Sequence, residues 1–224
     1  MEIKQLDQST ILKLAAGEII DRPVSIVKEL IENAIDANAS TITINLKDGG
    51  ISEIKISDNG DGITHKNIEK TILPHATSKL NNYNDLETVL TMGFRGEALA
   101  SIAEVADIDI LSFNKEELIG IELSKKAIER TAKINEKACE KGTTIIVSHI
   151  FKNVPVRFKF LKKAATECGY ITKCIQQFSL HYPHIAFNLS NNNIDILTTS
   201  GRNNLVSTTA KIINQKEENI LEIK

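Results

Sequence analysis

The 224-residue chain is predicted to fold as an α+β layer, a largely antiparallel sheet with helices packed on one face. Three observations predict it. Two strand patterns are joined by a turn too short for anything but antiparallel pairing. Several later strands follow one another without an intervening helix, and an amphipathic helix precedes the first strand. That strand succession disfavours a doubly wound parallel fold.

Residues 9–20 read as a short helix, with Ser9 or Thr10 as its cap and Ile11, Leu14 and Ala15 as its apolar side. Pro23 then opens the main helix, where a missing N–H costs nothing. This helix runs to about Ala37 and ends near Asn38. At ~100° per residue, Val27, Leu30, Ile31, Ala34 and Ile35 form a core stripe, and Glu29, Asn33 and Asp36 gather roughly opposite. Glu32 falls nearer the charged flank. Thr41–Lys47 alternates with period two, Asp48-Gly49-Gly50 is a turn, and Ile54 and Ile56 mark the returning strand. That strand runs straight into Asp58-Asn59-Gly60-Asp61-Gly62-Ile63.

Residues 74–96 are polar and glycine-punctuated, with a short helical stretch at 86–90, and a helix follows from Glu97 to Ala103. Strands are expected near 105–113, 118–124 and 143–150. A long helix covers about 162–181 and stops before Pro183. Two last strands occupy 185–189 and 194–198. Residues 200–204 then connect to a helix near 205–214 and to an apolar strand start at 220–223.

Composition is ordinary for a soluble globular protein, 42% hydrophobic and 25% charged. With only 4% aromatic residues and no Trp, the core must be built from Ile, Leu, Val and Ala. A net charge of −2 gives no global basic footprint for nucleic acid. Cys139, Cys168 and Cys174 form no CxxC pair, which fits a reducing, cytoplasmic setting and argues against a disulfide framework or zinc site. His181 and His184 are close in sequence, but nothing completes a ligand set around them. The polar start reads as no signal peptide, and no run approaches the roughly 18 apolar residues of a membrane span.

Chemistry concentrates in four pieces, none of them a GxxxxGK[ST] loop. Glu29 and Asn33 offer a base and a metal-binding amide one helical turn apart. Asp58, followed by Gly60 and Gly62, offers a carboxylate that can accept from an exocyclic amine beside a backbone floor. His75-Ala76-Thr77-Ser78-Lys79 and Gly93-Phe94-Arg95-Gly96-Glu97 supply mobile positive charge and a glycine-bracketed helix entrance suited to an anion. Gly142-Thr143-Thr144 places a hydroxyl at a strand start, where it can reach a base directly or through water.

The motifs ELxENxxDA, DNGxGI, HATSK, GFRGEAL and GTT, in this order and at these spacings, resemble the GHKL ATPases. Ala15–Pro23 and Gly93–Leu99 are similar to MutL proteins of DNA mismatch repair in particular. The resemblance covers nearly the whole chain. It implies a Bergerat-type sandwich over residues 1–200, with an N-terminal arm at 1–20, an ATP lid at about 74–96, and a connector and incomplete transducer start at 201–224. It implies a weak Mg²⁺-dependent ATPase in which Glu29 is the general base and Asn33 the Mg²⁺ ligand. Asp58 would read the adenine amine, and Gly62 and Thr143 would complete the base pocket. Thr77, Ser78, Lys79, Gly93, Phe94, Arg95 and Gly96 would close on the triphosphate, while Asp36 supports the helix end or a water network. The implied partners are a MutS-type mismatch recognition protein and a downstream nuclease or helicase, with nucleotide-dependent self-association, weak DNA contact and no membrane.

Two departures stand out. Phe151–Leu161 resembles the family's FxNxPARxKFL but carries Val156 and Phe158 where Ala and Arg are usual, which weakens phosphate contact by its basic residues Lys152, Arg157, Lys159, Lys162 and Lys163. The chain also stops where a transducer domain with its γ-phosphate lysine is expected. Slow hydrolysis, or a nucleotide-binding regulatory module without productive turnover, follows from that expectation, as does a monomeric state without nucleotide.

Overall fold

The computed structural model describes Ala16 and residues 19–76, 96–129 and 131–220. Expectations for residues 1–15, 86–90 and 221–223 lie outside them. Ile20 N–H donates to the Ala16 carbonyl at 2.8 Å, and both side chains are buried.

The helices are α1 (Pro23–Asp36), α2 (His65–Ile68), α3 (Ala98–Val105), α4 (Pro155–Phe158), α5 (Ala164–His181) and α6 (Leu205–Ile213). The strands are β1 (Thr41–Lys47), β2 (Glu53–Asp58), β3 (Asp107–Phe113), β4 (Ile121–Lys125), β5 (Lys133–Glu136), β6 (Gly142–Ser148), β7 (Ala186–Asn191) and β8 (Ile194–Thr198). They form one sheet in the order β5-β4-β3-β6-β2-β1-β7-β8. All neighbours are antiparallel except β1 and β7, which run parallel.

Register explains the layering. Leu46, Ile54, Val147 and Ile108 stand side by side across β1, β2, β6 and β3, and Lys125 of β4 ends that row. The next row is Ile44, Ile56, Ile145, Ile110 and Leu123. Successive side chains of a strand alternate faces, so these rows share one side of the sheet. Their apolar members are buried in one core with Val27, Leu30 and Ile31 of α1 and Ile171 and Ile175 of α5. The opposite side is polar and half-buried, with Thr144 Oγ1 donating to Ser57 Oγ at 2.9 Å and Ser190 Oγ to Asn45 Oδ1 at 2.8 Å. Buried Lys125 donates to the Ala103 carbonyl at 2.7 Å and so ties the C-terminal end of α3 to the sheet.

Apart from the strand start expected at 220, the expected helices and strands among the described residues are present, with ends shifted by a few residues. Among the described residues, one strand and two α-helical turns were not foreseen. β5 is exposed along its whole length and has no apolar alternation; it exists by pairing with β4. α2 and α4 are single turns, too short to carry a helical period. At the far end, a 3₁₀ turn at Glu217–Asn219 precedes Ile220, which is not in a strand. The pairing of β7 with β8 carries a register shift between Leu189 and Ser190. In the basic segment, Phe151 is buried while Val156, Phe158 and Phe160 are exposed, and Arg157 Nη1 donates to the Ile20 carbonyl at 3.2 Å.

Ile56 lies between Ile44 and Ile145 in the second apolar row and is 3% exposed. Ile56→Ala is expected to lower unfolding free energy by about 2–5 kcal/mol, read from the shift of the urea midpoint at constant slope.

Candidate functional site

The third row of the buried side begins apolar and turns polar. Ile42 of β1 pairs with Asp58 of β2, Asp58 with Thr143 of β6, Thr143 with Ser112 of β3, and Ser112 with Ile121 of β4. Asp58, Thr143 and Ser112 therefore occupy positions where the two preceding rows carry Ile and Val. They sit at one end of the sheet, where β2 and β3 stop and β6 starts. Thr143 and Ser112 are buried and Asp58 is half-buried.

Burial pushes the Asp58 carboxyl above its ordinary range, and hydrogen bonds from the backbone N–H groups of Gly60 and Thr143 pull it part of the way back. The Gly60 N–H lies 2.8 Å from Asp58 Oδ1. Close approach of β6 needs a glycine: Gly142 has φ +104°, and a Cβ there would stand 2.0 Å from the Asp58 carbonyl oxygen.

The loop after β2 is held from two sides. Toward α1, Asp61 N–H donates to the Ala37 carbonyl at 2.8 Å and Asn38 Nδ2 to Asp61 Oδ2 at 2.7 Å. Asn59 Oδ1 accepts from the N–H groups of Ser40 and Thr41, each at 2.9 Å. Toward β3, Ile63 N–H donates to Ser112 Oγ at 2.8 Å, and Asn114 Nδ2 donates to the Asp61 carbonyl at 2.9 Å. Gly62 is pressed onto β3 with φ +76°, and a Cβ would lie 2.4 Å from the Phe113 carbonyl oxygen. Sequence reasoning missed Ser112 and Asn114. The available signal was Ser112 standing on the Ile108–Ile110 parity of an alternating strand.

Glu29, Asn33 and Asp36 are half-buried on α1, and none is without an interaction partner. Asn33 lies one turn before Ala37, its carbonyl accepting the Ala37 N–H at 3.0 Å. The helix end carrying Asn33 is therefore the end that grips the Asp58–Gly62 loop, and α1 also packs on β2. Glu32 departs from expectation. It is buried rather than on a charged flank, with Lys28 Nζ at 3.4 Å, because α5 crosses and covers that side of α1. There it lines a cleft of about 240 Å³ with Lys28, Cys174, Phe178, His181 and Tyr182.

Gly96 is half-buried at the entrance to α3 with φ +62°. His75 Nδ1 lies 3.0 Å from Glu97 Oε1. Thr77, Ser78, Lys79, Gly93, Phe94 and Arg95 lie outside the described residues. Among the described residues, no group of three or more His, Cys, Asp and Glu side chains is placed to share a metal ion, and no helix is long and apolar enough to cross a membrane. The arrangement offers a carboxylate beside a hydroxyl on neighbouring strands, next to a loop whose backbone is fixed at both ends.

Residues 22–153 match the family model described as histidine kinase-, DNA gyrase B-, and HSP90-like ATPase. The chain is 43% identical over 222 residues to the DNA mismatch repair protein MutL of Agathobacter rectalis, covering 98% of this chain and 34% of that protein. It is 45% identical over 203 residues to the MutL of Clostridium beijerinckii, covering 91% and 30%. It thus spans about a third of the length of the curated relatives it matches. Among solved structures, the Aquifex aeolicus MutL ATPase domain complexed with ADP superposes with a TM-score of 0.69 at 28% identity, over 88% of this chain and 71% of that one. The N-terminal domain of a DNA repair protein superposes with a TM-score of 0.74 at 32% identity, over 93% and 62%.

A carboxyl whose folded pKa is raised destabilises the fold once ionised, above that pKa, and not below its unfolded pKa. Asp58→Asn is therefore expected to melt at a higher temperature than the parent near pH 7. The gain should shrink as pH falls through the raised Asp58 pKa, which thermal melts between pH 7 and pH 4 will check.

Proposed function

The chain belongs to the histidine kinase-, DNA gyrase B- and HSP90-like ATPases, and from that membership we propose that it is the ATP-binding, slowly hydrolysing region of a MutL-type DNA mismatch repair protein. The observation that carries the reading is the core-facing carboxylate of Asp58, desolvated and flanked by the Thr143 hydroxyl over the glycine-backed loop. Similarity to MutL proteins over nearly the whole chain supports it.

In this reading Asp58 accepts the exocyclic amine of adenine while Gly62 and Thr143 complete the base pocket. A charge-assisted hydrogen bond of this kind contributes about 1.5–3 kcal/mol. Glu29, one turn before Asn33, orients and deprotonates the attacking water. The Asn33 side chain carries a hard amide oxygen of the type magnesium takes, and Asn33 lies in the last turn of the helix whose end grips the base loop, so this residue fits that ion. Held by Asn33, a magnesium ion would supply positive charge to offset that of the phosphates. Gly96 presents backbone to the phosphates at the entrance to α3. Thr77, Ser78, Lys79, Gly93, Phe94 and Arg95 belong to the same proposal as closing groups.

The nucleotide then acts as the input of a conformational switch, with residues 1–20 as arm, about 74–96 as lid and 201–224 leading toward a transducer domain. Self-association on nucleotide binding, signalling from a MutS-type protein to a nuclease or helicase, weak DNA contact and a cytoplasmic location complete the proposal.

Titration with a non-hydrolysable ATP analogue and Mg²⁺, followed by sizing, tests binding and pairing together; an absence of saturable binding would refute the reading. Asp58→Asn is expected to weaken analogue binding roughly ten- to a hundredfold, the cost of one charge-assisted bond. Glu29→Ala is expected to keep analogue affinity within about threefold while phosphate release in a single turnover falls at least ~100-fold. Loss of binding in that variant would make Glu29 structural.

A further inference from the structure

Ser112 is fully buried and is the meeting point of three polar contacts at the end of the sheet. Its Oγ accepts the Ile63 N–H at 2.8 Å, lies 3.0 Å from the Gly142 carbonyl oxygen, and lies 3.0 Å from Thr143 Oγ1. A serine hydroxyl has one proton and two lone pairs. A carbonyl oxygen only accepts, so the contact with Gly142 uses the Ser112 proton. The contact with Thr143 is then filled only if Thr143 donates. All three contacts coexist in that arrangement alone. The hydroxyl of Thr143 is thereby left with lone pairs and no proton for any ligand. It stands in register beside Asp58, which as a carboxylate also only accepts.

We propose that Ser112 is a specificity-determining residue of the base pocket: by taking the Thr143 proton it makes Thr143 an acceptor beside Asp58. The pocket then favours a purine with an amine at position 6 over its 6-oxo counterpart. The inference rests on the nucleotide reading and deepens it. An amine presents protons to both acceptors, one of them directly or through a water. A 6-oxo group presents lone pairs to lone pairs. Ser112 touches no ligand in this scheme; it acts through Thr143 and through the Ile63 amide that it holds in place.

The test compares ATP with inosine triphosphate, which differs at position 6 and at the protonation of the adjacent ring nitrogen. Affinities of both are measured for the parent, Ser112→Ala, Thr143→Val and the double variant. The parent is expected to favour ATP. Ser112→Ala should narrow that preference roughly five- to tenfold, the effect of about one hydrogen bond. Thr143→Val should narrow it at least as much, and the double variant no further than Thr143→Val alone, since the two act as one unit. Ser112→Cys keeps the volume but offers only a weak donor and acceptor; it should narrow the preference too and serves if Ser112→Ala does not fold.

An unchanged preference in a folded Ser112 variant, equal weakening of both nucleotides, a Thr143→Val variant with full discrimination, or additive effects in the double variant would each overturn the assignment. A parent that binds neither nucleotide sinks the nucleotide reading and this inference together. A parent that binds ATP selectively, with Ser112 variants equally selective, sinks this inference alone.

Discussion

The constraint on which the site depends is the parity of β2. A strand sends alternate side chains to opposite faces, and Ile54, Ile56 and Asp58 share one parity, so the side that buries the isoleucines also receives the carboxylate. Desolvation of an acid is unfavourable unless donors meet it. Two backbone N–H groups do, and a neighbouring strand contributes one of them. Strand pairing and the site's electrostatics are thus one arrangement: sliding β6 by one residue would turn Thr143, Ile145 and Val147 away from the face that Asp58 shares.

Around that carboxylate, backbone and side-chain polar groups fix a short loop between a helix end and a strand end. Asn59 spans to Ser40 and Thr41, Asp61 reaches Ala37 and Asn38, and Ile63 reaches Ser112. Two of these grips use Asn or Asp, whose short polar side chains bond neighbouring groups where a chain turns. The helix holding Glu29 and Asn33 is therefore positioned by the same loop that presents Asp58, so displacement of one displaces the other.

Much of the architecture was legible because its signals are local. The alternation of Thr41–Lys47, the Asp48-Gly49-Gly50 turn and the apolar period of Leu30, Ile31 and Ala34 each depend on neighbours in the chain. So do Asp58, Gly62 and Thr143 as candidates, since glycine and acid clusters mark themselves. What escaped depends on pairing across distance. β5 has no pattern of its own and borrows order from β4. Glu32 is buried by α5, a helix far along the chain. The bond of Arg157 to the Ile20 carbonyl, which draws that guanidinium away from solvent, joins residues 137 apart. Ser112 lay hidden on a strand whose other core-facing residues, Ile108 and Ile110, are apolar, and its meaning comes only from the lateral row it completes.

The two rims of the sheet have a consequence for how copies of the molecule meet. At one rim, β5 sets Lys133 and Glu136 at its ends; at the other, the β7–β8 ladder is broken by the shift at Leu189 and Ser190. Charged and irregular borders are poor templates for a further strand. Zipping of copies rim to rim into main-chain ladders is thereby disfavoured.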